Sequence, residues 1–168
     1  MILGFYGKGD PKVLVTDLGP EEEIEEELND GKQIYTVGEY WSIDVETLKN
    51  YVGKTREKIH LFDVPLHYNF YRASRSNGEF DMSKIFEDTI VGKNPLMAVT
   101  FVDNHDTEPG QALESWILDW FKPIAYSIIL LRDAGMPCVF YGDYYGIPEK
   151  EILPKNIITF LLKGKYLN

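Results

Sequence analysis

Two carboxylates and a histidine stand where short apolar runs break off into polar residues. Ala98-Val99-Thr100-Phe101-Val102 stops at Asp103-Asn104-His105-Asp106-Thr107, with Pro109 and Gly110 just beyond, and Ile34-Tyr35-Thr36-Val37 stops at Gly38-Glu39-Tyr40-Trp41-Ser42. Short, unbroken, β-branched runs of this kind are expected to be strands buried on both faces of a parallel sheet, whose carboxyl ends are where ligands bind. If both strands share one sheet, Glu39 and Asp106 open into the same mouth, beside His105 and the rings of Tyr40 and Trp41. Two carboxylates flanked by aromatics and a histidine are what cleavage of a glycosidic bond asks for. Each residue also has a plainer reading: Glu39 as an exposed strand-end acid, His105–Asp106 as a structural hydrogen bond, Trp41 and Tyr40 as core packing.

The elements that must hold these residues follow from pattern and punctuation. Lys12–Thr16 reads as a strand, ended by Asp17-Leu18-Gly19-Pro20, and Glu21–Asn29 as an acidic helix stopped by Gly31. Ser42 or Asp44 caps a helix through Val45, Leu48, Tyr51 and Val52. A third strand spans Ile59–Pro65, with Asp63 at its exit, and Leu66–Ser74 reads as helix or loop. Asn77-Gly78 signals a turn, and Asp81 caps a helix reaching Ile90. The chain from Leu113 to Ala134 reads as one long helix, kinked or broken at Pro123 and stopped by Gly135. Cys138–Tyr141 is the last strand and Lys155–Lys163 the last helix. Strands alternating with helices, each releasing polar residues at one end, predict βα units and a parallel sheet.

Composition narrows the partners. A net charge of −10 excludes a protein that tracks phosphates along nucleic acid, which needs a basic stripe. Much of that excess sits in Glu21–Glu27, a solvated helix face. No apolar run approaches the roughly 18 residues that would span a bilayer. A lone cysteine, Cys138, in an apolar run acts as a small hydrophobe, and with no leader evident after Met1 the expected compartment is the cytoplasm. The 168 residues suffice for one domain with a core but fall short of a complete (β/α)8 barrel of roughly 250.

At this point the motifs VGEYW and FVDNHDT resemble those on strands five and seven of the alpha-amylase family of glycoside hydrolases. LFDVPLHYNFYRAS, PGQALESW and MPCVFYGDYYGIP are further similar to its bacterial liquefying members. The resemblance runs from about Ile34 to about Ile152. It implies a partial (β/α)8 (TIM-type) barrel, strands five to eight, preceded by an atypical N-terminal βα unit, so that residues 1–33 stand apart from the half-barrel of 34–168. It further implies retaining hydrolysis of internal α-1,4-glucosidic bonds in starch or glycogen, with Glu39 as acid/base, Asp106 as transition-state stabiliser and His105 bonding a sugar hydroxyl; Trp41 and Tyr40 have rings suited either to stacking on sugars or to core packing. The partner implied is an α-glucan, with a complementary half-barrel or a second copy closing the open sheet edges.

Two departures from the family pattern matter. The family's nucleophile, an Asp in an Arg-x-Asp-Ala motif followed by Lys-His, has no match before Glu39. Asp17 holds the nearest topological position, but Val15 stands where the Arg belongs. Family members often bind calcium, yet no DxDxDG-type loop occurs, and the main calcium ligands lie in regions without a counterpart here. The expectation is therefore a weak or inactive chain when isolated, the alternative being a non-catalytic carbohydrate-binding or assembly module.

Overall fold

The computed structural model describes residues 2–5, 14–16, 35–55 and 59–147. Six strands form one sheet: β1 (Ile2–Phe5), β2 (Leu14–Thr16), β3 (Tyr35–Gly38), β4 (Ile59–Phe62), β5 (Ala98–Phe101) and β6 (Met136–Cys138), in the order β2-β1-β3-β4-β5-β6. The last four are parallel, with Gly38 opposite Leu61, Phe62 opposite Val99 and Phe101 opposite Cys138. Their connections carry α1 (Val45–Lys54), α2 (Val64–Arg75), the short α3 (Ile90–Lys93) and α4 (Lys122–Leu131), and α5 (Tyr141–Tyr145) follows β6.

Alternation along the strands sends residues to two different environments. Ile59 and Leu61 of β4 and Ala98 of β5, with Val102 just past it, join one buried cluster with Leu48 of α1, Phe70 of α2 and Ile129 of α4. Val99 and Phe101 of β5 are buried too, but lie outside that cluster, on the opposite face. On that opposite face Tyr35 meets His60 with ring centroids 4.3 Å apart, and Phe62 meets Phe101 at 5.4 Å. Burial, with a smaller contribution from the neighbouring Cys138 sulfur, pushes the Tyr35 phenol up to about 12. The four parallel strands curl, with helices packed on the outer face and these rings on the inner one.

The N-terminal strands depart from the expected βα step. β1 pairs antiparallel with both β2 and β3, so β2 lies two places from β3 with β1 between them. β1 satisfies the β3 edge, which is the simplest remedy for its unpaired amides. The expected helices at Glu21–Asn29 and Lys155–Lys163 lie outside the described residues.

Local chemistry explains the other differences. β4 ends at Phe62 rather than Pro65, because Asp63 caps α2 by accepting from the Leu66 amide and Pro65 suits a first helical turn. Asp81 does cap, but only a 3₁₀ turn at Met82–Lys84; the helix expected to reach Ile90 instead restarts there, with Thr89 as its cap. The long helix expected from Leu113 shrinks to Lys122–Leu131, with Pro123 in its first turn. Residues 113–117 are claimed by the loop after β5: the Leu113 and Ser115 amides donate to the Asp106 and Thr107 carbonyls, and the Ile117 amide to the Asp103 carboxylate.

Candidate active site

Because β3, β4, β5 and β6 run parallel, their carboxyl ends share one rim. Glu39 follows the last residue of β3, Asp63 the last of β4, and the Asp103–Thr107 turn leaves β5 one residue beyond its end. Glu39 and Asp106 are thus brought to the same rim, though not by neighbouring strands: β4 separates them, roughly 9–10 Å of sheet. Glu39 is half-buried and stands on the Tyr35 and Val37 side of its strand by alternation.

The two aromatics beside Glu39 part company. Trp41 enters a nest of rings, 5.9 Å from His67, 6.3 Å from Tyr68 and 6.2 Å from Phe101, and its indole N–H donates to the Tyr68 hydroxyl at 3.4 Å. Tyr40 turns instead to Tyr51 of α1, 5.1 Å away, and stays exposed. On the other side of the rim His105 is exposed, with Nε2 3.5 Å from Asp106 Oδ1, while Asp106 is partly covered.

The turn that carries Asp106 is built from below. Asn104 Oδ1 accepts from the amides of Asp106 and Thr107, both at 3.0 Å, and the Thr107 hydroxyl donates to Asp103 Oδ1 at 2.8 Å. Asp103 in turn meets Lys122 Nζ at 2.9 Å, and that ammonium also reaches Asp143 Oδ1 at 2.6 Å; Lys122, Asp103 and Asp143 are all buried. The Tyr126 hydroxyl donates to Asp143 Oδ2 at 2.6 Å. Burial pushes the Asp103 carboxyl up to about 7, against the pull of Lys122 and Thr107. None of this chain of contacts is legible as a motif. The one signal is a lysine between Phe121 and Pro123 in an apolar stretch, a place where a charge needs a buried partner.

His67 braces the same strand end from α2. Its Nδ1–H donates to the Val102 carbonyl at 2.6 Å, its Nε2 lies 2.8 Å from the Ser115 hydroxyl, and its ring stacks on Phe101 at 5.2 Å and 5°. Burial lowers it to about 4, with the Val102 bond pulling the other way. A histidine so depressed contributes stability that is complete above its ordinary value of 6.5 and is lost as pH falls through 4. Asp63 and Asp103, raised to about 6 and about 7 by burial, act oppositely: their contribution is complete below 3.8 and is lost as pH rises through those values. The two trends oppose each other between pH 4 and 6.5. His67→Gln should remove the acid-side loss, changing the difference in unfolding free energy between pH 6.5 and pH 4 by up to about 3 kcal/mol relative to the parent chain. Urea unfolding at pH 4, 5, 6 and 7 reads that slope, and parallel pH profiles for the two chains would rule it out.

Among the described residues no group of three or more His, Cys, Asp or Glu side chains is placed to hold a metal ion. No described helix is long and apolar enough to cross a membrane.

A curled parallel sheet, helices on its outer face and carboxylates among aromatics at its carboxyl rim define part of a barrel-type α/β protein with an acidic mouth. Comparison with known proteins makes this specific. The chain is 60% identical over 122 residues to an alpha-amylase of Geobacillus stearothermophilus and 57% over 116 residues to an alpha-amylase of Bacillus licheniformis, matches that take in 73% and 69% of this chain. It is 47% identical over 121 residues, 72% of its length, to the cytoplasmic alpha-amylase of Escherichia coli K12. The chain belongs to the alpha-amylase family, and its matches span 22%, 23% and 24% of the length of those three relatives. No protein-family model matches it.

Proposed function

We propose that this chain is the half-barrel of an alpha-amylase-type glycoside hydrolase that corresponds to strands five to eight, with β3 as strand five and β5 as strand seven. The reading is retaining hydrolysis of internal α-1,4-glucosidic bonds in starch or glycogen. Its main support is the common rim of the Glu39 and Asp106 strand ends in a chain 47–60% identical to named alpha-amylases. Glu39 protonates the leaving glycosidic oxygen and then draws a proton from water. Asp106, ionised, stabilises the sugar ring as it gains oxocarbenium character, and His105 donates to a hydroxyl of the same ring. Trp41 and Tyr40 offer faces for sugar stacking.

The missing part is the nucleophile, which a retaining mechanism holds roughly 5–5.5 Å from the acid/base. The strand next to β3 on that side is antiparallel β1, whose carboxyl end lies at the opposite rim. β2 runs in the direction of β3, but Asp17, which follows it, lies outside the described residues. Among the described residues β6 is paired on one side only, which supports completion by further strands, from a complementary half or a second copy. The chain by itself therefore binds α-glucan weakly and turns it over little or not at all.

The purified chain, titrated calorimetrically with maltohexaose and assayed for new reducing ends, tests this reading. Binding weakened several-fold by Asp106→Asn, with no hydrolysis, is the expected result. Robust turnover abolished by Glu39→Gln would overturn the inactive-chain part, and binding indifferent to Glu39→Gln and Asp106→Asn would overturn the mouth. The absent nucleophile motif favours one second reading, a non-catalytic carbohydrate-binding module. Binding lost with Trp41→Ala but unchanged by Asp106→Asn would select it.

A further inference from the structure

A cavity of about 380 Å³ opens on the outer side of the rim, between the segment after β3, α2 and the turns before α3. Ile43, Tyr68 and Phe80 give it an apolar wall, and Arg72, Lys84 and Glu87 line it with charge. Asn69 builds that wall: its amide donates to the Ile85 carbonyl at 2.8 Å and the Glu87 carbonyl at 3.1 Å, while its oxygen accepts from Arg72. Asn69 is buried, so residues 85–87 are pinned to α2 rather than left as a free loop.

Three features narrow the occupant. The volume falls in the range of small-molecule sites, roughly 300–1,000 Å³. The lining charges balance, Arg72 and Lys84 against Glu87 and Asp88, which disfavours a strongly charged ligand. Lys84 and Glu87 make no side-chain hydrogen bond or ion pair among the described residues, so one donor and one acceptor are available to hydroxyl groups. A face of rings and aliphatic carbon, rimmed by uncommitted donors and acceptors of both signs, matches a neutral polyhydroxylated ring. Tyr68 also joins the cavity to the mouth: its ring lines the cavity, and its hydroxyl accepts from Trp41, leaving the hydroxyl hydrogen free to donate.

We infer that this cavity is a second binding site for a neutral saccharide, an accessory foothold for the α-glucan whose cleavage region is the mouth beyond Trp41. The saccharide class rests on the function proposed above, whereas the existence of the site rests on the cavity and its lining. The test is a titration of the full 168-residue chain with maltotriose, followed by amide chemical shifts. The amides of Phe80, Lys84 and Glu87 should move in the parent chain and equally in Asp106→Asn. The double variant Lys84→Ala/Glu87→Ala, both exposed positions, should weaken the affinity read at the Phe80 amide at least fivefold with unfolding unchanged. Shifts at the cavity with none at Glu39 and Asp106 would support this site while counting against the mouth. Silence at the cavity, or an affinity there untouched by the double variant, would overturn it whatever happens at the mouth.

Discussion

Lys122→Met is expected to lower the unfolding free energy by roughly 3–5 kcal/mol, a large fraction of the roughly 5–15 kcal/mol that holds an ordinary domain folded. The ammonium is wholly buried, 2.6 Å from Asp143 and 2.9 Å from Asp103, and lies 3.0 Å from the centroid of the Trp116 ring. Methionine keeps much of the volume, so the loss is electrostatic: two carboxylates stay buried with no cation between them. The size of the effect reflects that broken pairing and not the net worth of the pair, since removing all the charges together costs far less. The triple variant Lys122→Met/Asp103→Asn/Asp143→Asn should therefore recover most of the loss. The deficit of the single variant should also shrink towards pH 4, where Asp103, already raised by burial to about 7, holds its proton. Urea unfolding of the three chains at pH 4 and pH 7 provides the measurement. A single variant as stable as the parent at pH 7 would show that the cluster does not hold the Asp106 turn in place.

The second large effect is expected at Asp63. Its Oδ1 accepts from the amides of Leu66 at 3.2 Å and Ile90 at 3.0 Å, and its Oδ2 from the Val91 amide at 2.7 Å. Its own amide donates to the Val99 carbonyl at 2.9 Å. One buried side chain thus starts α2, starts α3 and sits behind β5. Asp63→Ala strands three buried N–H donors, each worth about 1–3 kcal/mol when left unsatisfied, for a total loss of roughly 3–5 kcal/mol after local relaxation. Asp63→Asn retains one acceptor oxygen and should fall between the parent and the alanine variant. Hydrogen exchange should report the Ile90 and Val91 amides losing protection first. If alanine and asparagine prove equally mild, these bonds are satisfied by water and the carboxylate is not the clamp.

The strand and cap assignments show what a local pattern can resolve. β3, expected at 34–37, forms at Tyr35–Gly38, and Asp44 caps α1 through the Glu46 and Thr47 amides. Asn77 and Gly78 take positive φ of 53° and 88°, and Gly135, the expected stop, takes 76°. These features depend on neighbours two to four residues away, so composition and spacing carry them. The long helix from Leu113 failed for the opposite reason. Trp116, Ile117, Trp120 and Phe121 satisfy helical spacing, but the Leu113, Ser115 and Ile117 amides find partners in Asp106, Thr107 and Asp103, through a turn whose shape hydrophobic spacing does not encode.

Apolar runs and their punctuation were enough to place this chain among parallel α/β proteins, to mark the residues at its strand ends, and to single out the acids suited to sugar chemistry. Each of these is local: an apolar run that breaks into polar residues marks a strand exit wherever the strand is placed. It took the folded chain to reveal that β4 lies between the Glu39 and Asp106 strands, that antiparallel β1 occupies the edge expected for a βα neighbour, and that Lys122 underpins the acidic turn. Sheet order and buried charge pairing join residues tens of positions apart, and they are settled by which edges and which ions must be satisfied out of reach of water.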